Sequence, residues 1–293
     1  MKLELPTVEV GGFFKLEAVS PDGSVRTLAD WFPNLVLNQG LDQFGTNTSN
    51  SYSTQAGIMT YVSVGTGSVA PAATDTTLTN FLASQYKKSA TAGNDAAGRY
   101  AWYRVIYEYA VNAATGNLSE IGVGTSTVLV AKSLIKDGNG DPTTITVLSA
   151  EALRVSYELR VNIPTGNYLM TVDGYDIVIK AASADTWAAG YFLGCDLKVG
   201  DSGVGATIDD SPPNISGANV VDTNTTGAYT GGTYTLSYTA YAGVDKANYN
   251  INALLFETGM AKWQASVTPA IPKTSLKTLE IGYSVHWARA GEL

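Results

Sequence analysis

Thiol, imidazole and charge are all scarce in this sequence. A single cysteine, Cys195, excludes an internal disulfide and any reliance on an oxidising compartment, and between Leu193 and Leu197 it reads as a small core residue. A single histidine, His286, has no second His or Cys near it for metal ligation, and no Gly-x-Ser-x-Gly elbow is present for it to serve in a triad. Its phase is opposite to that of Val285 and Trp287, which makes it a solvent-side strand residue. Charged residues are 15% of the chain and the net charge is −8, so the basic footprint of a nucleic-acid binder is missing. Lys87-Lys88 is too small a patch to replace it. No apolar run approaches the ~18 residues of a membrane-spanning helix. The opening MKLELPTVEVGGFF carries Glu4 and Glu9 and has no apolar signal-peptide region.

What fills the deficit is Thr, Ser, Gly, Asn and Ala, together with 17 Tyr. Weakly charged chains rich in Thr and Tyr suit the pleated surfaces of β-rich extracellular or particle proteins. Period-2 alternation dominates throughout and predicts an all-β fold with little helix, in one or two β-sandwich-like domains. Strand-like runs occur at 13–19, 25–28, 31–37, 60–64, 101–111, 119–123, 127–136, 143–148 and 153–161, and again at 233–242, 251–256, 263–267 and 276–287. SPDG (20–23) reads as a turn, Pro33 marks an edge strand, and YLMTVDGYDIVIK (168–180) reads as a hairpin about Asp173-Gly174. Helical turns are expected at 38–45 and 184–193. A short helix is expected near Asp75–Ala83, with Thr74 or Asp75 as its N-cap, and 87–99 reads as a loop.

Two stretches imitate ligand loops. Gly65-Thr66-Gly67-Ser68-Val69-Ala70 matches the G-x-G-x-x-A of a dinucleotide site. Pro71 and the Ala/Thr run behind it are a poor helix start, and Lys87-Lys88 stand where the ribose-binding acid belongs. The favoured reading is a strand ending in a Gly-rich turn, with no cofactor. KDGNGDP (136–142) opens like a calcium loop, but its twelfth position is Leu148 and Pro142 interrupts it, so a hairpin turning at Asn139-Gly140 is expected instead. In the strand at 119–123, Ile121 and Val123 are expected in the core. If Glu120 is buried as well, it needs a backbone N–H or a cation as partner.

LRVSYELRV (153–161) and LEIGYSVHW (279–287) share Leu-x-β-x-Tyr-x-apolar-x-apolar, and YRVIYEYAV (103–111) loosely matches YTLSYTAYA (234–242). Either the chain simply has many strands or one β-sandwich of roughly 130–150 residues is duplicated in tandem. The expected division is an N-terminal β-sandwich domain, 1–164, and a C-terminal β domain, 165–293, carrying a long polar loop at 200–233. In that loop Asp201, Asp209 and Asp210 read as solvated turn residues before cation ligands or a hydrolytic pair.

In order along the chain stand WFPNLVLNQGLDQFG (31–45), VSVGTGSVAPAATDTTL (62–78), NLSEIGVG (117–124), AKSLIKDGNGDPTTITVL (131–148), EALRVSYELRVNIP (151–164) and LKTLEIGYSVHWARA (276–290). Together they resemble a family of tailed-bacteriophage tail or tail-fibre structural proteins. The resemblance covers most of 31–164 and the last fifteen or so residues, and weakens over 165–275. It implies a non-enzymatic component of a fibre, baseplate or tail-tip adaptor, made in the host cytoplasm without a signal peptide. Its partners would be further copies and other tail proteins, with no cofactor, nucleic acid or membrane insertion. The alternatives are a module binding a host glycan or receptor, through loop aromatics such as Trp187, Tyr191 and Tyr229, and a capsid decoration protein.

Overall fold

A computed structural model describes residues 1–46, 55–95, 97–183, 195–201, 219–258 and 262–291. Strand accounts for 59% of the described residues and helix for 5%, so the fold is all-β. In the first half the elements are β1 (Lys2–Glu4), β2 (Val8–Val19), β3 (Val25–Pro33), β4 (Leu35–Val36), α1 (Asn38–Thr46), α2 (Gln55–Ile58), β5 (Tyr61–Gly65), β6 (Phe81–Asp95), β7 (Tyr100–Glu108), β8 (Gly116–Leu118), β9 (Glu120–Gly124), β10 (Leu129–Leu134), β11 (Ile145–Val147) and β12 (Ala152–Asn162). The second half adds β13 (Tyr168–Val172), β14 (Tyr175–Ser183), β15 (Cys195–Gly200), β16 (Asn219–Val220), β17 (Thr223–Thr226), β18 (Thr235–Ala242), β19 (Asn250–Thr258), β20 (Lys262–Pro272) and β21 (Leu279–Arg289).

Thirteen of these strands form one sheet with the path β17-β18-β21-β2-β12-β7-β6-β5-β9-β10-β4, to which β1 and β3 attach. Alternation drives it. On β12, Leu153, Val155, Tyr157, Leu159 and Val161 are buried, while Arg154, Ser156, Arg160 and Asn162 face outward. The sheet curls so that its β10–β4 end returns to β2, where the Asn34 N–H donates to the Gly12 carbonyl (3.0 Å). Tyr107 of β7 and Tyr109 just beyond it, both buried, donate their hydroxyls to the carbonyls of Met59 (2.6 Å) and Val62 (2.9 Å) across the core. Their burial raises both phenol pKa values. A six-stranded sheet, β13-β14-β20-β19-β15-β16, is built wholly from the second half, and β8 and β11 make a small third one. The β13–β14 hairpin turns at Asp173-Gly174 as the sequence predicts.

The sheet crosses the expected division at 164. β21 runs parallel to β2 (Val8↔Trp287) and a single apolar cluster draws on both halves. The two look-alike strands, β12 and β21, flank β2 in that one sheet, and their partners differ in register by two residues: Tyr157 faces Val105, whereas Tyr283 faces Tyr238. The likeness is therefore between neighbouring strands of one sheet, not between two separate sandwiches. Part of the expected 200–233 loop is strand, since β17 pairs with β18.

Three further expectations are corrected. No helix forms at 75–83, and 87–95 is not a loop: 75–80 is irregular and β6 runs fifteen residues from Phe81 to Asp95. The amides of Thr79 and Asn80, which a helix would need, are taken by a carboxylate described below. The turn at 137–141 exists, with Asp137 Oδ1 accepting the N–H groups of Asn139 (2.8 Å) and Asp141 (3.1 Å). The hairpin it closes is shorter than expected: Lys136 bridges Pro142 antiparallel and the Thr143 N–H donates to the Ile135 carbonyl (2.8 Å), but farther out β10 pairs with β9 and β4 while β11 pairs with β8.

Candidate interaction face

The Gly65–Ala70 loop does cradle an anion, and the anion belongs to the protein. Glu120, fully buried at the start of β9, accepts the N–H groups of Gly67 (3.1 Å), Thr79 (2.9 Å) and Asn80 (2.6 Å). Lys132 from neighbouring β10 lies 3.6 Å away, itself only 2% exposed, and also reaches Asp75 (3.1 Å) and Thr79 Oγ1 (3.0 Å). A Cβ on Gly65 or Gly67 would collide with the Glu120 carboxylate, which is why both positions are glycine. The loop is closed over its own ligand and offers an external phosphate no free amide at Gly67. Ile121 and Val123, on the same strand, are fully buried as expected.

A different arrangement occupies the outer face of the sheet across β3, β2, β12 and β7. On β7 the outward phase is Tyr100, Trp102, Arg104, and on β12 it is Glu158, Arg160; pairing sets Arg104 beside Glu158 and Trp102 beside Arg160. Glu158 is 2% exposed although it stands on the outward side. Arg104 Nε donates to one carboxylate oxygen at 2.9 Å and Arg160 Nε to the other at 2.7 Å. Each guanidinium also lies against two rings. Arg104 sits 5.1 Å from Trp31 and 5.0 Å from Trp102, and Arg160 sits 4.2 Å from Phe13 and 4.4 Å from Tyr100. Contacts of this kind contribute about 0.5–2 kcal/mol each. The Trp102 indole is laid against Gly93 of β6, where a Cβ would collide with it. One carboxylate thus locks two arginines, and the arginines fix four aromatic rings on a partly exposed sheet surface. Below it, Glu108 receives Lys88 (2.9 Å) and Arg154 (3.3 Å), and these hold its carboxyl below the usual range.

The expected loop aromatics fare differently. Tyr229 is half-buried: its ring stacks on Trp287 (5.7 Å) and its hydroxyl donates to Asp42 Oδ1 (2.6 Å), tying the loop before β18 to α1. Burial, with the neighbouring Asp42, raises its pKa. Trp187, Tyr191, Asp209 and Asp210 lie outside the described residues, and Asp201 is exposed. His286 is half-buried with Nδ1 3.0 Å from Thr235 Oγ1, and burial lowers its pKa. The face itself was missed from sequence. Its signal is the outward phase of β7 carrying Tyr and Trp where water-facing positions usually carry polar residues. Among the described residues no three His, Cys, Asp or Glu side chains group as a metal set, and no helix is long and apolar enough to cross a membrane. Compared with protein-family models, with curated proteins and with solved structures, the chain matches none.

Proposed function

We propose that the chain is a non-enzymatic structural component of a bacteriophage tail, and that the outer face of β3-β2-β12-β7 seats a neighbouring tail protein. The family reading rests on the ordered sequence motifs. The docking reading rests on one observation: Trp31, Trp102, Tyr100 and Phe13 are held in place by Arg104 and Arg160 about a shared, water-excluded carboxylate. Tryptophan, tyrosine and arginine are the residues that most often anchor protein interfaces, and rings fixed beforehand lose little conformational entropy on binding. Each ring already has a guanidinium against it, which favours a protein partner over a sugar that would need the ring faces for stacking.

The test is the variant W31A/W102A, introduced into the phage that encodes the chain. The variant should fold, and it should bind its neighbour roughly 30-fold more weakly, the equivalent of about 2 kcal/mol at an aromatic anchor. It should accordingly be depleted from purified particles. Incorporation at the unaltered level overturns the docking face. Cleavage of a host polysaccharide by the isolated protein overturns the structural reading itself.

A further inference from the structure

We propose that two copies of the chain join edge to edge along the second half of β6, antiparallel, with Thr91 on the two-fold axis. The proposal takes from the tail reading only that several copies are present together.

Strand β6 changes partners midway. Its residues Phe81–Tyr86 pair with β5, and Ser89–Asp95 pair with β7. Among the described residues no strand lies on the other side of this second stretch. Lys88 through Ala92 are all exposed, so the segment stands clear of the core on both faces. It contains no proline, and from Ser89 to Asn94 it contains no charge. Such an edge presents a row of backbone donors and acceptors, and proteins normally blunt one with lysine, proline or bulges. Among the described residues the other outermost strands are blunted or short. β3 carries Pro33 and two register shifts, and β13 has five residues. On β6 the lysines and the only bulge of this stretch sit together at its start, Lys87–Ser89.

That placement selects a second copy as the occupant. Antiparallel pairing centred on Thr91 sets Thr91 against Thr91, Ala90 against Ala92 and Ser89 against Gly93. It brings the Lys87-Lys88 end of each copy against the Asn94-Asp95 end of the other, so opposite charges meet at both ends of a neutral, small-residue seam. Lys87 is partly withdrawn from water and, among the described residues, makes no ion pair. Centring on Ala90 would set the lysines against Ala92 and Gly93, and centring on Ala92 would set Asp95 against Ser89; both leave the charges unmatched. Thr–Thr pairs across strands are favourable at the centre. A two-fold axis perpendicular to the sheet keeps both outer faces on the same side, so the two aromatic faces become one continuous surface.

The experiment uses the full chain. Light scattering should give twice the 30.8 kDa chain mass. T91K, which opposes two ammonium groups at the axis, should give the single-chain mass with an unchanged circular dichroism spectrum. With Cys195 replaced by alanine, T91C should oxidise to a disulfide-linked pair and S89C, whose mate is Gly93, should not. A parent chain that stays monomeric at its solubility limit overturns the edge pairing, as does a dimer indifferent to T91K or equal cross-linking of T91C and S89C. If T91K fails to fold, the cysteine pair decides. A monomeric parent leaves the docking face standing, because W31A/W102A is read on particles and not on self-association.

Discussion

Glu120 and Glu158 are both carboxylates withdrawn from water, and the protein satisfies them by different means. Around Glu120 the partners are three backbone amides and one buried lysine, and the β5–β6 connection that supplies all three amides also seals the site. Around Glu158 the partners are two arginines that are 39% and 27% exposed, and their outer surfaces are covered by rings. The first arrangement fixes chain geometry and leaves nothing to bind. The second fixes side chains on a surface and leaves their far sides available. A buried charge can therefore serve as an internal rivet or as the base of an ordered aromatic surface, the one proposed above for docking, depending on whether backbone or side chains supply its partners.

Removing the two carboxylates separates these roles. Glu120→Ala strands Lys132 in the interior and leaves three amides without an acceptor, so it should cost about 3–5 kcal/mol, read by denaturant unfolding. A cost near zero would mean that water or Asp75 replaces the carboxylate. Glu158→Ala should cost less, about 1–3 kcal/mol, because both arginines can still reach water. Its larger effect should be on the rings: near-ultraviolet circular dichroism from the tryptophans should weaken while the far-ultraviolet spectrum holds. If the aromatic signal is unchanged, the arginines do not need Glu158 to position the rings.

Acid should produce the smallest effect. Asp75, beside the Glu120 site, is held below its ordinary 3.8 by the Ala72 amide and then by Lys132, and Glu108, on the outer face, is held below its ordinary 4.5 by Lys88 and Arg154. Groups with lowered folded values stabilise the fold fully above their unfolded values and lose that contribution as pH falls through the folded ones. These two carboxylates should thus hold their contribution above the ordinary carboxylate range and lose it below, while His286, lowered by burial from its ordinary 6.5, adds a decline that begins as pH falls through that value; unfolding at graded pH of the parent and of His286→Gln separates the two. A decline in His286→Gln that still begins near neutrality would point to another group.

Much of the framework is legible in the sequence because it obeys local rules. The inward rows of β12 and β21 alternate cleanly, Asp173-Gly174 turns a hairpin, and a buried Glu120 could be foretold to need an amide or a cation. β6 was illegible because its exposed edge carries Ala, Lys, Gly and Asn with no period, and pairing to β5 and β7 overrides those preferences. The partnership of Val8 with Trp287 is set by tertiary packing that no short window contains. The candidate face was hidden for a related reason. Tyr100, Trp102 and Arg104 alternate with Ala101, Tyr103 and Val105, and both phases look apolar until the core has chosen one. In sequence Tyr229 reads as a loop aromatic open to partners; in the fold its ring and hydroxyl are engaged by Trp287 and Asp42.

The most direct measurement is the copy number of W31A/W102A in purified phage particles, compared with the unaltered chain made to the same level. Depletion of a variant whose circular dichroism and unfolding curve show it folded is the expected result. A folded variant incorporated at full copy number would contradict the docking role of this face.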